Sequence, residues 1–176
     1  MEDIYRAKAC VEQAKQSLSA EGIAYDEKIK LGIMIEIPSI ALIADLAAEE
    51  VDFASIGSND LTQYVSAADR MNVSVGSYYQ NYSPAMFRLL GYVFEAFARQ
   101  GKPVSVCGEM AGNPEAAVAL VGLGAKKLSM SAANVAEVKA ALAQVDMEEA
   151  RKMAQGCKQL KTEGGILLFC SECGLP

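Results

Sequence analysis

Glu36, Asn59, Asp60, Arg70 and Cys107 are the residues of this 176-residue chain whose type and setting suit chemistry. Glu36 interrupts an apolar, branched run over 31–37, where an ionised carboxylate is costly unless something pairs with it. Asp60 ends the run Ser55-Ile56-Gly57-Ser58-Asn59-Asp60. Two carboxylates on adjacent strand ends, together with phosphate oxygens, make the hard oxygen set that Mg2+ prefers. The alternative is that Glu36 pairs with an arginine while Asp60 caps the helix after it. Asn59 either donates to a phosphate at a helix N-terminus or is an ordinary turn asparagine, which spacing alone favours. Arg70, in Asp69-Arg70-Met71-Asn72, is a planar donor for phosphate or carboxylate, or a solvated loop charge. Cys107, at a strand end before Gly108, either faces an opening as an acid or packs as a small hydrophobe.

Two further features bear on the chemistry. The chain has no histidine, which removes the commonest general base and the commonest phosphoryl-accepting imidazole. Cys157, Cys170 and Cys173 invite a metal reading, but a closed zinc site wants four ligands and no histidine completes this one. A disordered tail is the expected state of residues 162–176.

The elements that position these residues follow from periodicity and punctuation. Ile4, Ala7, Val11, Ala14 and Leu18 recur at three- and four-residue steps, predicting a helix over 2–20 with its stop at Gly22. The run 31–37 reads as a buried strand stopped by Pro38, followed by a helix over 39–50. A second strand spans 52–56, and Gly57-Ser58-Asn59-Asp60 reads as the turn that closes it before an irregular polar stretch. Ser83-Pro84 and Asn113-Pro114 each cap and start a helix, the first ending at Gly101 and the second at Gly122 and Gly124. Strands are expected at 103–107 and 128–130, with helices over 135–142 and about 147–161.

The order is one helix, then four strand–helix units, so the fold class is α/β with a parallel sheet. Four units are half of a (β/α)8 barrel, and the chemistry-bearing residues all fall at the C-terminal strand ends, where such folds place their sites. A Rossmann-type sheet competes, but no G-x-G-x-x-G follows any strand. A half barrel is expected to leave two open edges and an inner face of Ile, Val, Met and Leu with nothing opposite it.

Composition narrows the function classes. Hydrophobic residues make up 52% and charged residues 22%, as in an ordinary globular domain. A net charge of −6 gives no basic footprint for nucleic acid. The richest apolar stretch is broken by Glu36, Pro38 and Asp45 and cannot span a bilayer, and the acidic start Glu2-Asp3 is unlike an export signal. Five cysteines without small-scaffold spacing fit reduced thiols and a cytoplasmic setting.

Four motifs in order carry a resemblance: Gly32-Ile-Met-Ile-Glu-Ile-Pro38, Ser55-Ile-Gly-Ser-Asn-Asp-Leu-Thr-Gln-Tyr64, Asp69-Arg-Met-Asn72 and Cys107-Gly-Glu-Met-Ala-Gly112. The chain resembles the phosphoenolpyruvate-utilising enzymes over about residues 1–145. Its last two motifs resemble enzyme I of the bacterial sugar phosphotransferase system more closely than pyruvate phosphate dikinase or phosphoenolpyruvate synthase. The resemblance implies a barrel that binds phosphoenolpyruvate and Mg2+, and a histidine on a separate N-terminal domain that passes the phosphoryl group to a histidine-containing phosphocarrier protein.

Residue by residue, the resemblance makes Glu36 and Asp60 the metal ligands. Asn59 and Asp60 become the loop that meets the substrate phosphate, Arg70 a substrate-binding arginine and Cys107 the acid that protonates the enolate. Residues 1–161 are then the second half of the barrel, with the phosphohistidine domain and the first half outside this sequence and 162–176 matching no family motif. A homo-oligomer or the other barrel half is the expected partner. The alternatives are a binding or regulatory fragment without turnover, and an Mg2+-dependent lyase-type barrel.

Overall fold

In a computed structural model, which describes residues 1–172, every expected strand forms as a short one. Helix α1 (Glu2–Ala20) precedes them. β1 (Gly32–Ile35), β2 (Phe53–Gly57), β3 (Val104–Cys107) and β4 (Lys127–Ser129) then lie side by side in that order, each pair parallel. A helical connection follows each strand, as a parallel sheet requires, and the arrangement is that of half an α/β barrel.

After β1 come α2 (Pro38–Leu42) and α3 (Ala44–Glu50). The sequence predicts one helix here; the backbone instead leaves helical geometry at Ile43, and Asp45 sits in the new first turn, where an acidic side chain is favoured. α4 (Ser58–Ser66) and α5 (Pro84–Arg99) join β2 to β3, and α6 (Pro114–Leu123) joins β3 to β4. α7 (Val135–Leu142) and α8 (Met147–Gln159) complete the series. The two cap-and-proline signals hold in atomic detail. Ser83 Oγ accepts from Met86 N–H at 3.3 Å and Asn113 Oδ1 accepts from Ala116 N–H at 2.9 Å, each just before a proline.

Register separates the sheet into two faces. Ile35, Ile56, Val106 and Leu128 form one row across the strands, and they meet the helices. Opposite them, α5 buries Phe87, Leu90, Val93 and Phe97 completely. Each such side chain contributes about 1.5–3 kcal/mol through removal from water. The other face carries the row Met34, Ser55, Ser105 and Lys127, and beyond it Cys107 and Ser129. The sequence-based expectation of an inner face of Ile, Val, Met and Leu is therefore corrected. Alternation sends the branched residues to the helices, and the inner face carries Ser55, Ser105 and Ser129, with Met34 and Phe53 its large apolar members, 46% and 39% exposed.

The expected disordered tail also differs. α9 (Glu163–Glu172) is a helix whose Ile166 and Cys170 are buried, because that 166/169/170 spacing lays one apolar face on α8. Cys173 lies outside the described residues.

Candidate functional site

The C-terminal strand ends are brought together by backbone economy at two glycines. A Cβ on Gly57 would stand 3.0 Å from both Cβ and Oε2 of Glu36, so the bare backbone at the end of β2 is what lets the Glu36 carboxylate lie across it. Glu36 itself is the first residue beyond β1 rather than inside it, and it is half-buried. The desolvation cost read from the sequence is correspondingly smaller.

β2 passes directly into α4, so Ser58, Asn59 and Asp60 form a helical first turn and not the closing turn the sequence predicts. Ser58 is fully buried and donates to the Cys107 carbonyl at 2.8 Å, tying the start of α4 to the end of β3. Asn59 Oδ1 accepts from Glu109 N–H at 3.0 Å. That contact fixes the amide: oxygen faces the N–H, which leaves Nδ2 as the donor end. Gly108 makes the crossing possible. Its φ of +109° suits glycine alone, and a Cβ there would collide with Ser58 Oγ and stand 2.7 Å from Asn59 Oδ1.

Cys107 is half-buried at the end of β3, and its thiol donates a long bond of 3.4 Å to the Ile56 carbonyl. Ser55 Oγ lies 4.0 Å from the sulfur. The thiol borders a cleft of about 370 Å3 that Asn59, Glu109, Ser129, Ser131 and Asn134 also line. Glu36 instead borders a second hollow of about 390 Å3 beside Ile33, Met34 and Ile37.

Arg70 and Asp60 are brought together: Nη2 of the arginine is 3.5 Å from Oδ1 of the aspartate, with side-chain exposures of 38% and 42%. An ion pair this open and this long contributes little to stability, so the guanidinium is not committed to Asp60. The Arg70 N–H donates to Gln63 Oε1 at 3.1 Å, which anchors the loop to α4. Tyr79 completes the group and was not legible as a site residue. Its hydroxyl donates to the Asn59 carbonyl at 3.1 Å. Burial first, then the nearby Glu109 carboxylate, holds its phenol above the usual range, while Arg70 acts the other way. The Tyr78-Tyr79 pair, two adjacent aromatics in an irregular stretch, was the available signal.

The donor set suits a hard divalent cation. Glu36 offers a carboxylate just beyond β1 and Asp60 one in the first turn of α4, the helix that follows the paired strand β2, and among the described residues no three Cys, Asp or Glu side chains form a metal cage. Mg2+ is commonly bound by one or two carboxylates with the remaining positions left to water and substrate phosphate. The residues present fit such an ion.

Residues 1–147 match the family described as PEP-utilising enzyme, PEP-binding domain. Among curated proteins, the chain is 43% identical over 166 residues to the phosphoenolpyruvate-protein phosphotransferase of Bacillus subtilis (strain 168), which covers 94% of this chain and 29% of that protein. It is 43% identical over 169 residues to the protein of that name from Geobacillus stearothermophilus, covering 96% and 29%. It is 47% identical over 161 residues to multiphosphoryl transfer protein 2 of Escherichia coli (strain K12), covering 90% and 19%. The chain thus spans less than a third of the length of each of these relatives.

Proposed function

The chain belongs to the PEP-utilising enzymes, as their PEP-binding domain, and from that premise we propose that it is half of the substrate barrel of a phosphoenolpyruvate-protein phosphotransferase of the enzyme I type. The observation that carries this reading is the convergence of Asn59, Asp60, Arg70 and Cys107 on one end of the sheet. Phosphoenolpyruvate presents a phosphate, a carboxylate and an incipient enolate, and those residues answer all of them.

The phosphate meets the first turn of α4, where a helix presents backbone N–H groups outward and Asn59 Nδ2 is the donor end of its amide. Arg70 swings from Asp60 to a substrate oxygen, a short motion for a guanidinium already beside the site. Glu36 and Asp60 would hold Mg2+, which when bound neutralises charge on the phosphoryl oxygens. When the P–O bond breaks, the phosphoryl group leaves for a histidine on another domain, since this chain has none. The enolate carbon takes the Cys107 proton to become pyruvate, and the thiolate recovers a proton from solvent. A histidine-containing phosphocarrier protein is the onward acceptor, and the setting is cytoplasmic. Among the described residues no helix is long and apolar enough to cross a membrane. Alone, the chain is a binding unit without phosphotransferase turnover, and its partner is the other barrel half or a second copy.

The test uses a full-length chimera in which this chain replaces the matching segment of the Bacillus subtilis relative. Cys107→Ala should slow pyruvate formation from phosphoenolpyruvate by roughly 100-fold or more. Phosphoryl return from the phosphocarrier to the enzyme should stay within about twofold, because no proton moves to carbon in that step. Equal losses in both reactions would assign the thiol to packing. Asp60→Ala should abolish Mg2+-dependent turnover and leave the circular dichroism melt in place; retained turnover would remove the metal role.

A further inference from the structure

Away from the strand ends, α8 and α9 bury two cysteines against each other. Cys157 and Cys170, thirteen residues apart in sequence, hold their sulfurs 3.5 Å from one another, with 0% and 3% of each residue exposed. That is a hydrogen-bond separation between thiols, and a covalent disulfide requires about 2.05 Å. Their helices are neighbours joined by a link of three residues, and α9 is held at two places. The Phe169 ring lies over Gly156 of α8, beside the sulfur pair. At the other end Glu163 Oε1 accepts from Tyr82 N–H at 3.0 Å, reaching the segment that runs from Tyr79 to the cap of α5.

We propose that Cys157 and Cys170 form a reversible dithiol–disulfide couple that staples α9 onto α8. Closing the bond needs an approach of about 1.5 Å, within the movement of two cysteine side chains. A low-molecular-weight disulfide such as oxidised glutathione is the oxidant. A Cys170 thiolate attacks one glutathione sulfur and the other glutathione leaves as thiolate. Cys157 then loses its proton to solvent and attacks the Cys170 sulfur, expelling the second glutathione. Two protein thiols become one disulfide while one glutathione disulfide becomes two thiols, so electrons and protons balance.

Hydrogen bonding to Cys157, then burial, holds the Cys170 thiol well above the ordinary cysteine range, which disfavours its thiolate while α9 is docked. Exchange therefore begins when α9 lifts. The helix is suited to that, being ten residues long and opening with Gly164-Gly165 in its first turn. The bond, once formed, closes a short loop and removes that opening.

The experiment takes the full chain with Cys173→Ser, exposes it to oxidised glutathione, blocks remaining thiols with N-ethylmaleimide and maps tryptic peptides. A linked pair of peptides 153–158 and 162–176, released by dithiothreitol, is expected. With it should come a rise in melting temperature of roughly 5–10 °C. Recovery of Cys157 and Cys170 unlinked, under conditions that glutathionylate the exposed Cys10, would overturn the couple. Linkage of either to Cys10 or Cys107 instead would do the same. Adding Cys170→Ser must abolish both the linked peptide and the temperature rise, whereas Cys10→Ser must keep both. A rise that survives Cys170→Ser would also reject the staple.

Discussion

At the scale of single residues, the site rests on contacts that leave no room for substitution. Gly108 combines a φ of +109° with an approach to Ser58 and Asn59 closer than a Cβ allows. Gly108→Ala should cost about 1–3 kcal/mol in a urea melt, since backbone strain and displacement of the α4 start act together. Gly76→Ala, with nothing within 4 Å of its added carbon, should stay within about 0.5 kcal/mol. Tyr79 supplies the other residue-scale prediction. Its raised phenol stays a neutral donor to Asn59 beyond the ordinary value of 10. Tyr79→Phe in the chimera should raise the phosphoenolpyruvate KM by about fivefold, one net hydrogen bond, with little change in kcat. A fall in kcat with unchanged KM would place Tyr79 in the chemical step instead.

At the scale of elements, α5, α6 and α8 each start at a side-chain cap. α8 begins with a reciprocal box in which Asp146 accepts from Glu148 and Glu149 N–H at 2.7 and 2.9 Å, and Glu149 accepts from Asp146 N–H at 2.8 Å. Those backbone donors, Glu149 first, hold the Asp146 carboxyl below its usual 3.8. A depressed folded-state value means stability that is present above pH 3.8 and lost as pH falls through the lower folded value. Asp146→Asn keeps an acceptor and removes the titrating charge. Its melting temperature should lie below that of the parent at pH 6, and the gap should close toward pH 3. A gap equal at both pH values would mean that the charge plays no part. At α3, Lys102 Nζ donates to the Ala48 and Glu49 carbonyls at 2.6 and 3.2 Å, so a residue that leads into β3 closes that helix's C-terminus.

At the scale of the whole molecule, β1 and β4 are the edges of the described sheet, and their outer N–H and C=O groups invite pairing with another chain. The inner face is less greasy than periodicity implied, since Ser55, Ser105 and Ser129 dilute Met34 and Phe53. Association should therefore be edge-driven. Sedimentation at micromolar concentration should show dimers or larger species, and phosphoenolpyruvate binding by the chain alone should be weak. A compact monomer that unfolds cooperatively and binds phosphoenolpyruvate tightly would refute the half-barrel interpretation.

What the sequence alone determined is local. Proline, serine, asparagine and glycine mark helix ends through contacts within a turn, which is why the starts of α5 and α6 were legible to the residue. Branched runs mark strands, and their order with intervening helices fixes a parallel α/β sheet. Tertiary structure decided whatever depends on a partner distant in the chain. Ser58-Asn59-Asp60 reads locally as a turn, and becomes a helix start where Cys107 and Glu109, some fifty residues on, engage Ser58 and Asn59. Glu36 lies across Gly57, and the sheet face on which each strand residue falls is set by pairing register, neither of which periodicity encodes. Residues 163–172 carry too weak a pattern to fold on their own account. They form a helix because α8 and Tyr82 offer burial and a hydrogen-bond donor that only the assembled fold brings within reach.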